Sequence, residues 1–424
     1  MPSDQPNAKR RTRVLIYSDC SFFAGCENMP ANLVNDPGIS REFEVVFVYR
    51  DSVRYSAGAA ARLNSGAQAI PLNIPTVEAV LGMAEKSGLP FLAGALRLTG
   101  LLLLLKYVFV LYSAAVLFCL FRRLKPDILH INNGGYPGAY SCLAAVFAAR
   151  AAGIKKIVFV VNSIAVPYAG IQRRLERPID NLVGRGVSLF VTGSQYACAR
   201  LRELFRLPAN KFVTVPNGIA ARPEKEPREA VLRRLGIHPG FTVLGTVAIL
   251  EPRKGHRYLL EALALVKGRF DRFSEVVLVI EGTGSQEEPL ERLADSLGLK
   301  ANLRFIAGEQ NVFDVIRAFD VFILPSVGYE DFPNVILEAM SLGKPVIGTK
   351  VAGIPEQVLD GKTGLVVEPA DAEGLAGAIL RLLSDARARA EMGVRSRERF
   401  DALFSYEKAI GNYSTIYRRL MTEG

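Results

Sequence analysis

No C-x-x-C pair occurs in this chain, and its five cysteines (Cys20, Cys26, Cys119, Cys142, Cys198) are scattered through the first half. An odd, dispersed set excludes a disulfide framework and offers no standard zinc spacing, as expected of reduced thiols in a cytosolic protein. The N-terminus, MPSDQPNAKRRTR, is polar and basic and lacks the apolar stretch of a secretory signal, which argues against export. Histidine is scarce, with only His130, His238 and His256. Aromatic residues do not interleave with basic ones, and no tight zinc-finger spacing is present, so nucleic acid is not an expected partner. The formal charge of +10 then points to other anions, namely acidic lipid or phosphorylated substrate.

What is present in abundance is apolar sequence: half of the 424 residues are hydrophobic, too much chain for one ordinary core. Strand-like runs (Arg13 to Ser18, EFEVVFVYR, DILHI, KKIVFVV, VSLFVTG) alternate with helical stretches such as AYSCLAAVFAARAAG. Short apolar strands between helices argue for an α/β fold with a parallel sheet covered on both faces. Near VPNGIAARPEKEPRE an Asn-Gly turn and a proline-bearing polar stretch read as a linker. The alternation then restarts with FTVLGTVAIL, EVVLVIEG, LRFIAG, VFILPS and KPVIGT. The expected organisation is a Rossmann-like domain over 1–216, a second over 217–404, and a C-terminal helix, 405–424, packing back toward the first. Two such domains would face each other across a cleft between the carboxyl ends of their sheets.

Residues 91–121, FLAGALRLTGLLLLLKYVFVLYSAAVLFCLF, are interrupted only by Arg97 and Lys106 and run into the basic cluster RRLK. The stretch after Lys106 is shorter than the roughly 20 residues needed to span a bilayer. A monotopic or re-entrant segment, with the basic cluster on anionic headgroups, explains this pattern better than a full span. A buried pair of core helices is the competing reading.

Four motifs carry chemistry. In GYEDFPNVILEAM, Glu330 falls in a strand-to-helix loop and Glu338 inside the following helix, where Pro333 suits the first turn. Free N–H groups around Phe332 to Val335 would attract an anion and place its attached groups against both glutamates. Otherwise Glu330 complements the helix dipole and Glu338 pairs with an unseen base. In LEPRKGH, Arg253 and Lys254 stand at a second strand-to-helix loop as counter-charges for a diphosphate. The G-x-G of EGTGS, beginning at Gly282, marks a tight turn at a strand end. In AGCEN, Gly25 would let backbone approach the same diphosphate from the first domain. His130, at the end of a strand, is read first as a satisfied structural histidine and second as a site residue.

The block from VFILPS to GLVVEP resembles the donor-binding block of glycosyltransferase family 4, the retaining enzymes of the GT-B fold. The resemblance rests on the E-x7-E spacing, the Phe-Pro between the glutamates, the KPVIG strand entry and the GIPE that follows, with looser matches at LEPRKG, VPNGI and DILHI. It implies a metal-independent hexosyltransferase that moves a sugar, with retention, from a nucleotide-sugar to a glycan or polyprenyl-lipid-linked acceptor. Such a transfer would serve cell-surface polysaccharide or glycolipid synthesis on the cytoplasmic face of a membrane. Glu338 would hold the ribose hydroxyls, Glu330 the transferred sugar, and Lys254 with Arg253 the departing diphosphate. Backbone at Phe332, Pro333 and Asn334 would line the sugar and phosphates, and the base would sit near Arg304 to Gly308. No D-x-D pair is present to bridge a metal to the diphosphate, so no cofactor and no metal ligands are expected. The family's route is front-face substitution, with no protein nucleophile. Three departures stand out: Ala24-Gly25 for a Gly-Gly pair, Asn162 where many members carry a histidine, and Ile249 for an arginine. Asn162 remains a catalytic candidate through its amide. An isomerase on the same fold and a non-catalytic binding subunit are the competing readings.

Overall fold

The computed structural model describes residues 10–20, 23, 25–75, 101–220, 222–309 and 311–422. The chain forms two compact units. One comprises Met1–Thr192, Cys198–Val215 and Ile410–Gly424, the other Gly193–Ala197 and Pro216–Ala409.

The first unit is built on seven parallel strands: β1 (Thr12–Ser18), β2 (Phe43–Arg50), β3 (Gln68–Leu72), β4 (Ile128–Asn133), β5 (Lys156–Val161), β6 (Leu189–Thr192) and β7 (Phe212–Thr214). Their order is β3-β2-β1-β4-β5-β6-β7. All six residues of β4 and the last five of β1 are buried, as central strands covered on both faces require. The winding reverses between β1 and β4, where Val14 lies opposite Ile128. That reversal opens a crevice at the carboxyl ends of these two strands.

The apolar run enters this unit as the helix Leu101–Leu124; residues 91–100 lie outside the described residues. Val110, Leu117, Leu120 and Phe121 recur at helical spacing and are buried in the core, against the helix Tyr140–Ala151. The opposite face exposes Val108, Leu111 (71 % exposed) and Tyr112. The inward face is that of a core helix, and the outward face carries an exposed apolar stripe. Lys106, the charge that interrupts the run, reaches Glu176 at 3.4 Å, and the Tyr107 hydroxyl donates to the Leu175 carbonyl at 3.0 Å.

The second unit has six parallel strands: β8 (Thr242–Val247), β9 (Val276–Glu281), β10 (Leu303–Ile306), β11 (Val321–Leu324), β12 (Val346–Thr349) and β13 (Gly364–Val367). Their order, β10-β9-β8-β11-β12-β13, reverses between β8 and β11. Alternate residues along each strand feed two cores, one holding Val277, Phe322 and Val346, the other Leu278, Ile323 and Ile347. Both units are thus doubly wound Rossmann-like sheets.

Candidate active site

The loops that leave β8 and β11 meet at the reversal point of the second sheet. After β8 the chain makes a short turn, Pro252–Lys254, and Gly255 takes the left-handed conformation (φ 71°) before the helix His256–Lys267. A side chain at Gly255 would lie 2.0 Å from the Pro325 carbonyl oxygen, so only glycine admits this approach. The Val327 N–H donates to the Arg253 carbonyl at 2.8 Å and joins the two loops.

Lys254 and Glu330 are consequently brought together as a buried ion pair, Nζ against Oε1, with exposures of 9 % and 7 %. Ser326 Oγ donates to the same carboxylate oxygen at 3.0 Å, and Arg253 Nη1 stands 3.5 Å from it. Arg253 is also held by Glu251, Nε to Oε2 at 2.7 Å. Two cations and two carboxylates therefore meet at a sheet reversal, where such sheets bind ligands.

Phe332, Pro333 and Asn334 continue the Glu330 loop. The helix begins at Asn334, with Pro333 as the residue before it (φ −63°, ψ 122°) rather than inside its first turn. That is a small correction: proline here fixes the extended entry instead of occupying a helical position. Phe332 is buried with its ring edge-on to Phe404, and the Asn334 side-chain oxygen accepts from Asn217 at 3.0 Å. Glu338 is half-buried on the face it shares with Asn334 and Val335, while Ile336, Leu337, Ala339 and Met340 point into the core. The apolar neighbours that made this carboxylate look expensive therefore lie on other sides of the helix.

Gly282 directly follows β9. At φ 146°, its missing side chain lets the Ala248 carbonyl approach, and a Cβ would sit 2.0 Å from that oxygen. Gly282 thus packs the exit of β9 against the exit of β8. Gly308 (φ 76°) lines a separate surface cavity of about 330 Å³ with Lys225, Glu226, Arg234, Glu309, Asn311 and Asp314. Arg304 is turned to structural use, donating to the Leu235 and Leu303 carbonyls at 3.0 and 2.8 Å.

In the first unit, Gly25 opens the turn Gly25–Glu27 after β1, and Asn162 follows β5. Asn132, on β4, connects their surroundings. Asn162 Nδ2 donates to Asn132 Oδ1 at 2.8 Å, and Asn132 Nδ2 reaches Glu27 Oε1 at 3.3 Å. His130 is structural: its Nδ1 meets the Tyr417 hydroxyl at 2.6 Å and its ring stacks on Tyr413. Burial lowers its pKa to about 3.

Sequence reasoning passed over several residues here. Tyr329, beside Glu330, is 81 % exposed in a left-handed conformation (φ 54°), a strained and conspicuous placement for a tyrosine. Its sequence signal was only that it follows a glycine. Asp331 is buried, and that burial pushes its carboxyl up to about 6. His256, beside Lys254, is buried with both ring nitrogens unpartnered among the described residues. In the first unit, Glu27 is fully buried, its pKa raised by burial.

Two family models match the chain: "Glycosyl transferases group 1" over residues 227–399 and "Glycosyl transferase 4-like domain" over 41–218. The chain is 28 % identical over 300 residues to the N-acetyl-alpha-D-glucosaminyl L-malate synthase of Bacillus anthracis, covering 70 % of this chain and 75 % of that one. It is 30 % identical over 260 residues to a GDP-mannose-dependent alpha-(1-6)-phosphatidylinositol monomannoside mannosyltransferase of Mycolicibacterium smegmatis, covering 59 % and 66 %. Among solved structures, Anabaena HepE in complex with UDP superposes with a TM-score of 0.74 at 18 % identity, over 96 % of this chain and 100 % of that one. With one model on each unit and doubly wound sheets in both, the chain belongs to the group 1 glycosyltransferases of the GT-B fold.

Proposed function

We propose that this protein transfers a sugar, with retention and without a bridging metal, from a nucleotide-sugar to a lipid-linked or glycan acceptor at a membrane surface. The observation that carries the reading is the buried Lys254–Glu330 pair at the reversal point of the second sheet. Without donor, each charge satisfies the other. A diphosphate entering beside Lys254 and Arg253 would draw both cations, since guanidinium and ammonium groups bind phosphate strongly. Glu330 would then be released toward hydroxyls of the transferred sugar. The half-buried carboxylate of Glu338 would accept from ribose hydroxyls, and the N–H groups at the start of the Asn334–Ser341 helix would face phosphate oxygen.

In the transfer, the bond from the anomeric carbon to the phosphate oxygen breaks as the acceptor oxygen bonds to the same face. The acceptor proton passes to the leaving phosphate. Lys254 and Arg253 stabilise the charge that develops there, a preorganised electrostatic contribution. Asn162 would offer its side-chain oxygen to a sugar hydroxyl, since its amide hydrogens are already used by Asn132 and the Asn133 carbonyl.

A glycolipid acceptor is supported by the name of the mycobacterial relative and by the apolar stripe of the first unit. Beyond its C-terminal end lies a cavity of about 450 Å³ lined by Arg122, Lys125, Lys155 and Lys156. Its one acid, Asp127, is already engaged by Arg10 at 2.8 Å.

The test is transfer from a panel of nucleotide-sugars to lipid-linked acceptors by wild type and by Lys254→Ala and Glu338→Ala. Losing the charge opposite the leaving group is expected to cost roughly 100- to 1000-fold in kcat, as for removal of one preorganised donor. Full activity in both folded variants would sink the reading. Donor incubated alone should give only slow hydrolysis; an epimerised donor would instead identify an isomerase.

A further inference from the structure

The sequence offers no ordinary metal spacing, yet the fold gathers three ligating groups at the reversal point of the first sheet. Cys20 follows β1 by two residues, and Cys26 and Glu27 belong to the turn that begins at Gly25. Their ligating atoms all lie within 4.8 Å of one another. Cys20 Sγ is 3.8 Å from Cys26 Sγ, and Cys26 Sγ is 3.7 Å from Glu27 Oε1. A tetrahedral zinc ion with Zn–S near 2.3 Å and Zn–O near 2.1 Å has S–S and S–O edges of about 3.8 and 3.6 Å. Both measured edges fit.

The carboxylate is held at both oxygens. Glu27 Oε2 accepts from the Tyr55 hydroxyl at 2.7 Å, and Oε1 accepts from Ser18 Oγ at 2.9 Å and Asn132 Nδ2 at 3.3 Å. Such outer partners fix a ligand's orientation before the metal arrives. Two thiolates select a soft or borderline cation over magnesium or calcium, which prefer oxygen.

We propose that Cys20, Cys26 and Glu27 form a three-ligand site for a zinc-class divalent cation, with one coordination position open to water or ligand. On binding, the cation forms bonds to two thiolate sulfurs and one carboxylate oxygen, and the two thiol protons pass to solvent. No electron is transferred. The site lies in the turn that carries Gly25 and, through Asn132, touches Asn162, so, on the proposed function, occupancy would couple metal to these two candidate residues.

The experiment uses the reduced, chelator-treated full-length protein, titrated with zinc against a chromophoric chelator and with cobalt in the spectrophotometer. One equivalent should bind, and cobalt should give a thiolate-to-metal charge-transfer band with tetrahedral d–d absorption. Cys20→Ser and Cys26→Ser should each abolish the band and weaken zinc binding, whereas Cys119→Ser should retain both. Tyr55→Phe keeps all three ligands but removes a support of Glu27, and should weaken binding by roughly 10- to 100-fold. Wild type that fails to compete for zinc, or either ligand variant that binds as wild type does, would overturn the site.

Discussion

Glu330 and Lys254 share a nearly dry space, so neither can be removed without consequence for the other. Truncating one member of a buried pair strands its partner, which typically costs about 3–5 kcal/mol. Here Arg253 at 3.5 Å and the Ser326 hydroxyl at 3.0 Å remain to meet Glu330, so Lys254→Ala should fold and lose transfer before it loses stability. Beside the pair, His256 gives a sharper residue-scale prediction. Burial, followed by the Lys254 charge, lowers its pKa from 6.5 to about 4. Between those values the unfolded chain binds a proton that the folded chain refuses. The contribution of His256 to stability is therefore level above pH 6.5 and is lost as pH falls toward 4, by up to about 1.4 kcal/mol per unit. Urea unfolding of wild type and His256→Asn across that range should show the wild-type advantage shrinking with acid. A difference that stays constant with pH would remove the assignment. The sequence showed Lys254 and Glu330 because each stands in a loop between an apolar strand and the helix that follows it. It did not show His256 or Tyr329, because one is defined by burial and the other by a backbone angle, and neither leaves a pattern in spacing.

At the scale of elements, the central strands were legible and three edges were not. β1, β2, β4, β5, β6 and β8 to β12 all stand out as apolar runs. β3 and β7 close one sheet and β13 an edge of the other. β3 carries Pro71 and no buried residue, and the three residues of β7 are all half-buried. An edge strand covered on fewer sides needs fewer apolar residues, so its signal fades. The helix Leu101–Leu124 shows the converse, with more apolar surface than the core consumes. Its outward stripe, Val108, Leu111 and Tyr112, leads toward Arg122 and Arg123 and the basic cavity. We expect this face to dock on anionic lipid, apolar side chains in the interface and cations on phosphate. Sedimentation with vesicles should show binding to phosphatidylglycerol-containing membranes and little to neutral ones. Leu111→Asp and the pair Lys125→Glu, Lys155→Glu should each reduce it, the second more at low salt. Wild type that stays in the supernatant with anionic vesicles would exclude the docking face.

The whole chain is organised as two units, and its path between them is not sequential. After building the second unit through Ala409, the chain returns Ile410–Gly424 to the first. Within that unit, Tyr413, Ile416 and Tyr417 are buried, Arg418 pairs with Glu42 at 2.6 Å, and Tyr417 supplies the hydroxyl that His130 meets. Strands alternating with helices announce two parallel sheets but not the order of their strands, because the same alternation fits more than one doubly wound order. Three buried side chains at about 1.5–3 kcal/mol each amount to roughly 4.5–9 kcal/mol, comparable to the stability of an ordinary domain. Ending the chain after Ala409 should therefore unfold the first unit and also leave His130 buried against nothing. The second unit keeps both faces of its own sheet covered without this segment. Hydrogen exchange read by mass spectrometry should show peptides from 10–192 losing protection while those from β8 to β12 keep theirs. Nucleoside diphosphate should still slow exchange around Lys254 and Glu330 in the truncated protein, because those residues draw every contact described for them from the second unit. Protection lost equally throughout would mean that the two units fold as one.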